Sequence, residues 1–364
     1  MEKNIKTYVQ LFENWLIYEG GWASTKTQDT VIKPKLIADA VKKLAIIGKD
    51  FSVHAKGSDL PPLEFIKPIG SGTWYEDDIK SQPDKVYGDV DFMVSYPTLD
   101  LGGKTERENE ILSAKLYNAE MMVLLKSKKY SFIDIGESES SSSPTDMKLI
   151  MEVEADGETG WMQIDMIVTY SGYKEWAIFR MTPIRNVKGF VLGNLYSSFG
   201  EVLEISIQPR GIRAKFAGTE MVAYSKRAGV EEKMLSANVG SFMHDIARFF
   251  WLQAEGTRGR DFKPSDSLKN WRGINPNSPT FEDLVDGIKA VADTLEQLGE
   301  FGTVLKYKNA KELIAAVKAR YIQKMERDAA STKFDKASTP SAIAAADKVK
   351  KLIAEYIAKI NALM

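Results

Sequence analysis

Helical periodicity dominates the first part of the chain. Apolar residues recur at intervals of three and four within Tyr8–Leu16, Ile32–Ile47 and Glu108–Lys126. This spacing places apolar side chains on one face of a helix and leaves the opposite face polar. The sequence therefore predicts three amphipathic helices in this part.

The period changes to two in several shorter segments, which predicts strands. Asp156–Gly160 has the residues of a tight turn and predicts a hairpin between the last two of them. Gly136–Pro144 is rich in Ser and Glu and predicts a flexible loop. Weaker strand character continues at Ile178–Phe179 and Leu203–Ile207. The predicted strands are Leu63–Ile69, Val86–Tyr96, Tyr130–Ile135, Met147–Glu154 and Trp161–Tyr170.

Helices dominate again from about Val230 onward. Ser241–Ala254 and Phe281–Leu298 carry apolar residues at helical spacing, and a last helix begins at Pro340 after the capping residue Thr339. These elements predict an α+β fold, in which a mixed sheet with flanking helices precedes a helical C-terminal domain. We place the two domains at residues 1–215 and 216–364.

The composition excludes several kinds of catalytic and metal-binding site. The 364 residues include no Cys and only two His, which excludes disulfides, thiol nucleophiles and zinc sites built from Cys or three His. Any bound metal must be held by carboxylates, which favours Mg²⁺, Mn²⁺ or Ca²⁺. No segment approaches the roughly 18 apolar residues that cross a membrane. With a polar N-terminus and a net charge of −1, this predicts a cytoplasmic protein without a membrane partner.

Three aspartates lie in predicted strands. Asp89 and Asp91 are separated by one residue, so their carboxylates share one face of a strand. Carboxylates this close repel each other unless a cation lies between them. Asp165 lies inside an apolar strand, where a carboxylate needs a partner or a metal. For each acid taken alone, the simpler interpretation is a strand face or edge that is exposed to water.

A glycine–serine turn precedes these acids. The strand Leu63–Ile69 ends in Gly70-Ser71-Gly72, which offers backbone N–H groups and a hydroxyl to a phosphate. The full order is a strand, a Gly-Ser turn, a strand with Asp-x-Asp, and a later strand with one Asp. The acidic run Glu76–Asp78 is a rival, but only Asp89 and Asp91 lie in an alternating strand.

This order resembles the DNA polymerase β-like nucleotidyltransferase superfamily, which combines a Gly-Ser turn, an acid-x-acid strand and a third acid on a neighbouring strand. Locally, Ile69–Trp74 (IGSGTW) and Gly88–Val94 (GDVDFMV) look most like archaeal-type CCA-adding enzymes and their oligoadenylate-synthetase relatives. The resemblance covers Leu63–Tyr170 and implies a palm-like catalytic sheet. The chain departs from the family at Glu76–Lys85, an insertion between the Gly-Ser turn and the first Asp.

The resemblance implies a role for each residue. Asp89 and Asp91 would hold two Mg²⁺ (or Mn²⁺) ions, and Asp165 would complete the site of the catalytic ion. Gly70 and Ser71 would cradle the β- and γ-phosphates of an NTP, either ATP or CTP. Trp74 and its neighbour Tyr75 would stack on the base or, alternatively, pack in the core below the turn.

The acceptor is expected in the basic middle of the chain. Ile205–Asn275 contains twelve Lys and Arg against seven Asp and Glu, among them Lys226, which the resemblance implies could contact the nucleotide. An RNA 3′ end, including that of tRNA, is the favoured acceptor, and a solvated basic face is the simpler interpretation of the charge. The pattern is also compatible with a protein or small-molecule acceptor, with second-messenger oligonucleotide synthesis, or with a non-catalytic nucleic-acid-binding module. The sequence does not predict the oligomeric state.

Overall fold

The chain forms two compact units. The computed structural model describes residue 27 and residues 30–85, 87, 90–142, 147–182, 187, 189–217, 220–221, 231–253, 261–271, 280–297, 301, 305–330 and 340–364. Unit 1 comprises Met1–Lys174 with Thr332–Ala346, and unit 2 comprises Glu175–Ser331 with Asp347–Met364. The predicted helix at Tyr8–Leu16 lies outside the described residues.

Unit 1 contains a four-stranded mixed sheet with the strand order β1-β2-β4-β3. The central strands β2 and β4 are parallel, whereas β1 pairs with β2 and β3 pairs with β4 in the antiparallel sense. The strands are β1 (Glu64–Pro68), β2 (Val90–Tyr96), β3 (Met147–Ala155) and β4 (Glu158–Tyr170). The helices are α1 (Pro34–Gly57), α2 (Tyr75–Ser81), α3 (Glu106–Lys128) and α4 (Ile135–Ser141).

One face of this sheet is apolar because strand residues alternate in direction. Phe92 of β2 and Ile164 of β4 belong to a buried core that also contains Leu44 of α1 and Met121 of α3. The intervening residues of the same strands project from the opposite face. The sheet is therefore packed by helices on one face, and the other face carries Asp91 and Asp165 together with apolar residues such as Met93.

The segment before β3 differs from its prediction. The predicted strand Tyr130–Ile135 is wrong, because only Ile133 forms a bridge, and the loop predicted at Gly136–Pro144 contains helix α4. The Asp134 side chain accepts a hydrogen bond from the Glu137 N–H at 2.9 Å and so caps this helix. A short polar segment without an apolar stripe is a poor helix by periodicity alone, and this cap explains why it is helical.

The serines of this segment cover the outer edge of β3. The Ile150 N–H donates to Ser138 Oγ at 2.9 Å, and the Lys148 N–H donates to Ser142 Oγ at 2.8 Å. Unpaired N–H groups on an edge strand would otherwise be available to another chain. The serine-rich segment therefore closes the sheet at this side.

Unit 2 is largely helical and also contains a small antiparallel sheet. In that sheet β6 pairs with β5, β7 and β8. The strands are β5 (Ile205–Gln208), β6 (Gly211–Ala217), β7 (Glu220–Met221) and β8 (Glu231–Ser236). The helices are α5 (Lys174–Met181), α6 (Gly189–Leu203), α7 (Phe242–Gln253), α8 (Asp266–Trp271), α9 (Phe281–Glu296), α10 (Ala310–Ala329) and α11 (Pro340–Leu363).

These elements confirm the predicted fold class, a mixed sheet with flanking helices followed by a helical part. The strand character predicted at Ile178–Phe179 is wrong, because both residues lie in α5. The predicted boundary after residue 215 concerns a functional domain and stays a prediction, whereas the compact units divide at Lys174. They do so because Ile205 and Ile212 of the small sheet pack in one core with Phe242 and other residues of the following helices.

No helix among those described combines the length and the apolar character that crossing a membrane requires.

The edge cover of β3 can be tested with Ser138→Ala. This change leaves the buried N–H of Ile150 without its acceptor, so we expect a loss of about 1–3 kcal/mol in the free energy of unfolding. Urea denaturation measures the loss. Ser140→Ala is the matched control, because Ser140 is exposed and should change stability by less than about 0.5 kcal/mol. Equal stability of the two variants would contradict the role of Ser138.

Candidate active site

Two of the predicted acids are brought together by the parallel pairing of β2 and β4. Asp91 and Asp165 are direct register partners, so they occupy adjacent positions on neighbouring strands. Neighbouring strands lie about 4.8 Å apart, and partners in register project from the same face. Both acids therefore lie on the sheet face opposite the core.

A lysine extends this row of charges onto the third strand. Lys148 of β3 is the register partner of Asp165, and its Nζ lies 3.9 Å from Asp165 Oδ2. The exposed fractions of the two side chains are 27% and 21%. The row across β2, β4 and β3 thus contains two carboxylates and one ammonium group.

Gln163 orients the second carboxylate from the same strand. It lies two residues before Asp165 on β4 and so shares its face, and its Nε2 donates a hydrogen bond to Asp165 Oδ1 at 2.7 Å. Gln163 is fully buried. One oxygen of Asp165 is therefore held by an amide, and the other faces Lys148.

The arrangement disfavours ionisation of the Asp91 carboxyl. Burial and, to a smaller extent, the nearby Asp165 raise the pKa of the Asp91 carboxyl to about 6, and Lys148 opposes the rise. Two carboxylates that share a site resist ionising together unless a cation joins them. The pair is accordingly a place where a cation is favourable.

The glycine–serine turn lies directly against Asp91. The N–H of Ile69 donates to the backbone carbonyl of Asp91 at 2.9 Å, and a 3₁₀ turn then covers Gly70–Trp74. Gly70 has φ of +59°, and a Cβ at this position would lie 2.9 Å from Asp91 Oδ2. Glycine is required here both by its backbone conformation and by the closeness of the carboxylate.

A second lysine lies on the same face, on the other side of the acids. Lys67 of β1 is the register partner of Met93, which follows Asp91 by two residues. Burial lowers the pKa of its ammonium group. No hydrogen bond or ion pair joins the Lys67 side chain to another described residue.

The predicted insertion Glu76–Lys85 contains helix α2, and its acids do not join the site. The Asp78 carboxylate is buried, accepts a hydrogen bond from the Tyr87 hydroxyl and pairs with Lys85 Nζ at 2.5 Å. Burial and the Asp78 charge raise the pKa of Tyr87. This contact fixes the segment just before β2, so that the insertion supports the strand that carries Asp91.

The two aromatic residues after the turn behave differently. Tyr75 packs in the core of unit 1, with its hydroxyl on Glu76 at 2.9 Å, which agrees with core packing rather than base stacking for this residue. Trp74 is only half-buried, at the end of the turn. A contact with a base remains a prediction for Trp74 alone.

Two predicted site residues, Asp89 and Lys226, lie outside the described part of the chain. The side chain of Ser71 is not described, although its backbone belongs to the turn. In the basic stretch Ile205–Asn275, Arg213 is buried in β6 and so is not part of a solvated basic face. The basic groove stays a prediction.

The described residues fit one side of a metal site. Carboxylate oxygens are the ligands that Mg²⁺ and Mn²⁺ prefer, and the Asp91–Asp165 pair offers them at a position where a cation relieves repulsion. Among the described residues, no group of three acidic or His side chains is close enough to hold an ion. A third ligand would have to come from elsewhere, and Asp89 is the residue that the sequence predicts.

We compared the chain with protein-family models, curated proteins and solved structures. Neither a protein-family model nor a curated protein matches the chain. The chain is similar to polymerase beta of Leishmania infantum in its ternary P/T complex, with 15% identity, a TM-score of 0.35, and 56% of this chain and 64% of that chain covered. For the ternary gap complex of the polymerase the identity is 13% and the TM-score 0.33, with 78% and 70% covered. The chain thus covers less than two thirds of the first of these structures.

The raised pKa of Asp91 predicts a pH-dependent stability. Because the folded-state pKa of about 6 lies above the ordinary value of 3.8, the folded chain holds this proton more tightly. Stability should therefore fall as the pH rises from about 4 to about 6 and stay at the lower level above that range. Asp91→Asn removes the effect, so in EDTA it should equal wild type near pH 4 and exceed it by about 2–3 kcal/mol at pH 7.

Urea denaturation across this pH range measures the difference. Asp77→Asn is the control, because Asp77 is exposed on α2. A constant difference between Asp91→Asn and wild type from pH 4 to pH 7 would show that Asp91 ionises without cost.

Proposed function

We propose that the chain is a metal-dependent nucleotidyltransferase that moves a nucleoside monophosphate from an NTP, ATP or CTP, to the 3′ hydroxyl of an RNA such as tRNA. The observation that supports this most strongly is the register pairing of Asp91 with Asp165 beside the Gly70 turn. It brings together the three sequence features on which the resemblance depends, namely the Gly-Ser turn, the Asp-x-Asp strand and the later strand with one Asp.

The proposed reaction is a phosphoryl-group substitution. The acceptor hydroxyl loses its proton to solvent, its oxygen forms a bond to the α-phosphorus of the NTP, the bond from that phosphorus to the bridging oxygen breaks, and pyrophosphate leaves. Mg²⁺, when bound, would lower the pKa of the hydroxyl and stabilise the charge of the leaving group. In our proposal Asp89, Asp91 and Asp165 hold the metal, and the chain needs no Cys or His nucleophile.

The other residues of the sheet face bind and orient the substrate. Gly70 and Ser71 present backbone N–H groups to the β- and γ-phosphates, and the absence of a Cβ at Gly70 leaves room for the Asp91 carboxylate beside the turn. Gln163 holds Asp165 in one orientation. Lys67 lies on the same face without a carboxylate partner among the described residues, and we assign it to the triphosphate.

A non-catalytic role for this sheet is disfavoured by its energetics. Burial and Asp165 raise the pKa of Asp91, so an ionised pair weakens the fold unless a cation is present. A binding module would lose nothing and gain stability by replacing Asp91 with a neutral residue. Metal binding explains why acids occupy these positions.

The acids are tested by substitution. Asp91→Asn and Asp165→Asn should fold and should lower the rate of NMP transfer by at least about a thousandfold, because each removes a proposed metal ligand. The assay uses Mg²⁺ and each α-labelled NTP, with tRNA, generic RNA or no acceptor. Asp77→Asn, from the rival acidic run, should retain activity.

The destination of the label separates the candidate functions. Label on RNA supports the proposal. Label on protein would indicate a protein acceptor, and label in a small product would indicate a small-molecule acceptor or oligonucleotide synthesis. Absence of transfer with every NTP and with Mg²⁺ or Mn²⁺, together with tight RNA binding, would replace the enzyme with a binding module. Near-normal turnover in Asp91→Asn would overturn the site itself.

Lys67 is tested by separating nucleotide binding from turnover. Lys67→Met should raise KM for the NTP about tenfold, as expected for the loss of one charge-assisted contact, with a smaller change in kcat. Lys126→Met is the control, because Lys126 forms an exposed ion pair with Glu139 on the helical side of unit 1. An unchanged KM in Lys67→Met would show that Lys67 does not bind the triphosphate.

A further inference from the structure

We propose that Lys148 is a built-in counter-ion of the Asp91–Asp165 pair, which a divalent metal ion must displace, and that it thereby sets the metal affinity of the site. The inference rests on the proposed function only in taking Asp91 and Asp165 as metal ligands.

The two carboxylate oxygens of Asp165 have different neighbours. Gln163 Nε2 holds Oδ1 at 2.7 Å, and Lys148 Nζ lies 3.9 Å from Oδ2. That separation is too long for a hydrogen bond but short enough for Coulomb attraction. Lys148 thus balances charge at Oδ2 without being bonded to it, and its ammonium group can be displaced without breaking a hydrogen bond to this carboxylate.

The backbone of Lys148 is fixed more firmly than its side chain. Ser142 Oγ accepts from the Lys148 N–H at 2.8 Å and donates to the Lys148 carbonyl at 3.2 Å. The register with Asp165 holds the same residue from the other side of β3. The side chain is 27% exposed and has four flexible methylene groups. The ammonium group is therefore kept beside the acids while it remains free to swing away.

Lys148 acts on both acids of the pair. Asp91 and Lys148 are the register partners of Asp165 on its two sides, so the ammonium group lies beside the pair of carboxylates. One ammonium group leaves the row of two carboxylates with one net negative charge. Such a row still attracts a divalent ion, but less strongly than two uncompensated carboxylates would.

In this proposal a divalent metal ion and the Lys148 ammonium group compete for the Asp91–Asp165 pair. Without metal, Lys148 reduces the repulsion between the two carboxylates and stabilises the sheet. When a divalent ion binds, the ammonium group is repelled and moves toward solvent. Lys148 therefore raises the stability of the metal-free chain and lowers its affinity for the metal.

The test measures metal binding without nucleotide or acceptor. The full chain is stripped with EDTA and titrated with Mn²⁺, and free Mn²⁺ is followed by electron paramagnetic resonance. Lys148→Met should lower Kd for Mn²⁺ about tenfold, as expected for the loss of one adjacent positive charge. Lys148→Arg should bind no more tightly than wild type, and Lys126→Met should match it. An equal or higher Kd in Lys148→Met would overturn the proposal.

Thermal unfolding supplies a second measurement. In EDTA, Lys148→Met should have a Tm roughly 2–4 °C below wild type, and saturating Mn²⁺ should remove the difference. If the lysine served only to pack its stem, the deficit would persist with Mn²⁺, and the counter-ion role would be wrong. Should Lys148→Met fail to fold, Lys148→Gln is measured in the same two ways.

Asp91→Asn separates this inference from the proposed function. If Mn²⁺ binding is unchanged in Asp91→Asn, the metal site itself is wrong and both proposals fail. If binding requires Asp91 but does not respond to Lys148, only the counter-ion is wrong. If Lys148→Met binds more tightly as expected while no NMP is transferred to any acceptor, the counter-ion stands and the proposed function fails.

Discussion

The parallel hydrogen bonding between β2 and β4 determines where the charged groups of the sheet face lie. It sets Asp91 beside Asp165, and the antiparallel neighbours then add Lys148 on one side and Lys67 on the other. A shift of one residue in this register would send the acids into the apolar core and bring core residues to the open face. The core therefore holds the site together, because Val90, Phe92 and Val94 of β2 and Ile164 and Met166 of β4 all face the core only in this register.

The site is built from charges that are incompletely balanced. Two carboxylates share a face with limited access to water, and the cost is visible in the raised pKa of Asp91. Lys148 relieves part of this cost from a distance of 3.9 Å, and the hydrogen bond from Gln163 fixes Asp165 without adding charge. Full neutralisation by neighbouring side chains would leave no net charge on this face, and no compensation at all would destabilise the sheet through the repulsion of the two carboxylates. The observed arrangement lies between these limits.

Periodicity predicted most of the elements that carry the site. The alternation around Asp91 and Asp165 was sufficient to predict their strands, whereas their placement on neighbouring strands was implied only by the resemblance to the nucleotidyltransferase superfamily. Lys148 and Gln163 were missed, although each alternates with core residues, because pairing partners depend on register and register is a property of the assembled sheet. The serine segment was misread for a different reason. Its helix is stabilised by the Asp134 cap and by contacts to β3, and neither leaves an apolar periodicity in the sequence.

The order in which β2, β3 and β4 occur along the chain affects how the site can form. The β3–β4 hairpin closes through the two-residue turn Asp156-Gly157, so it is a local structure that can assemble quickly. Asp91, in contrast, reaches Asp165 only when this hairpin docks against β2 across the whole α3–α4 connection. Such non-local parallel pairings form slowly. During synthesis the strand with Asp91 therefore keeps one edge unpaired until β4 has left the ribosome, so that the juxtaposition of the two carboxylates marks completed tertiary assembly rather than the presence of secondary structure.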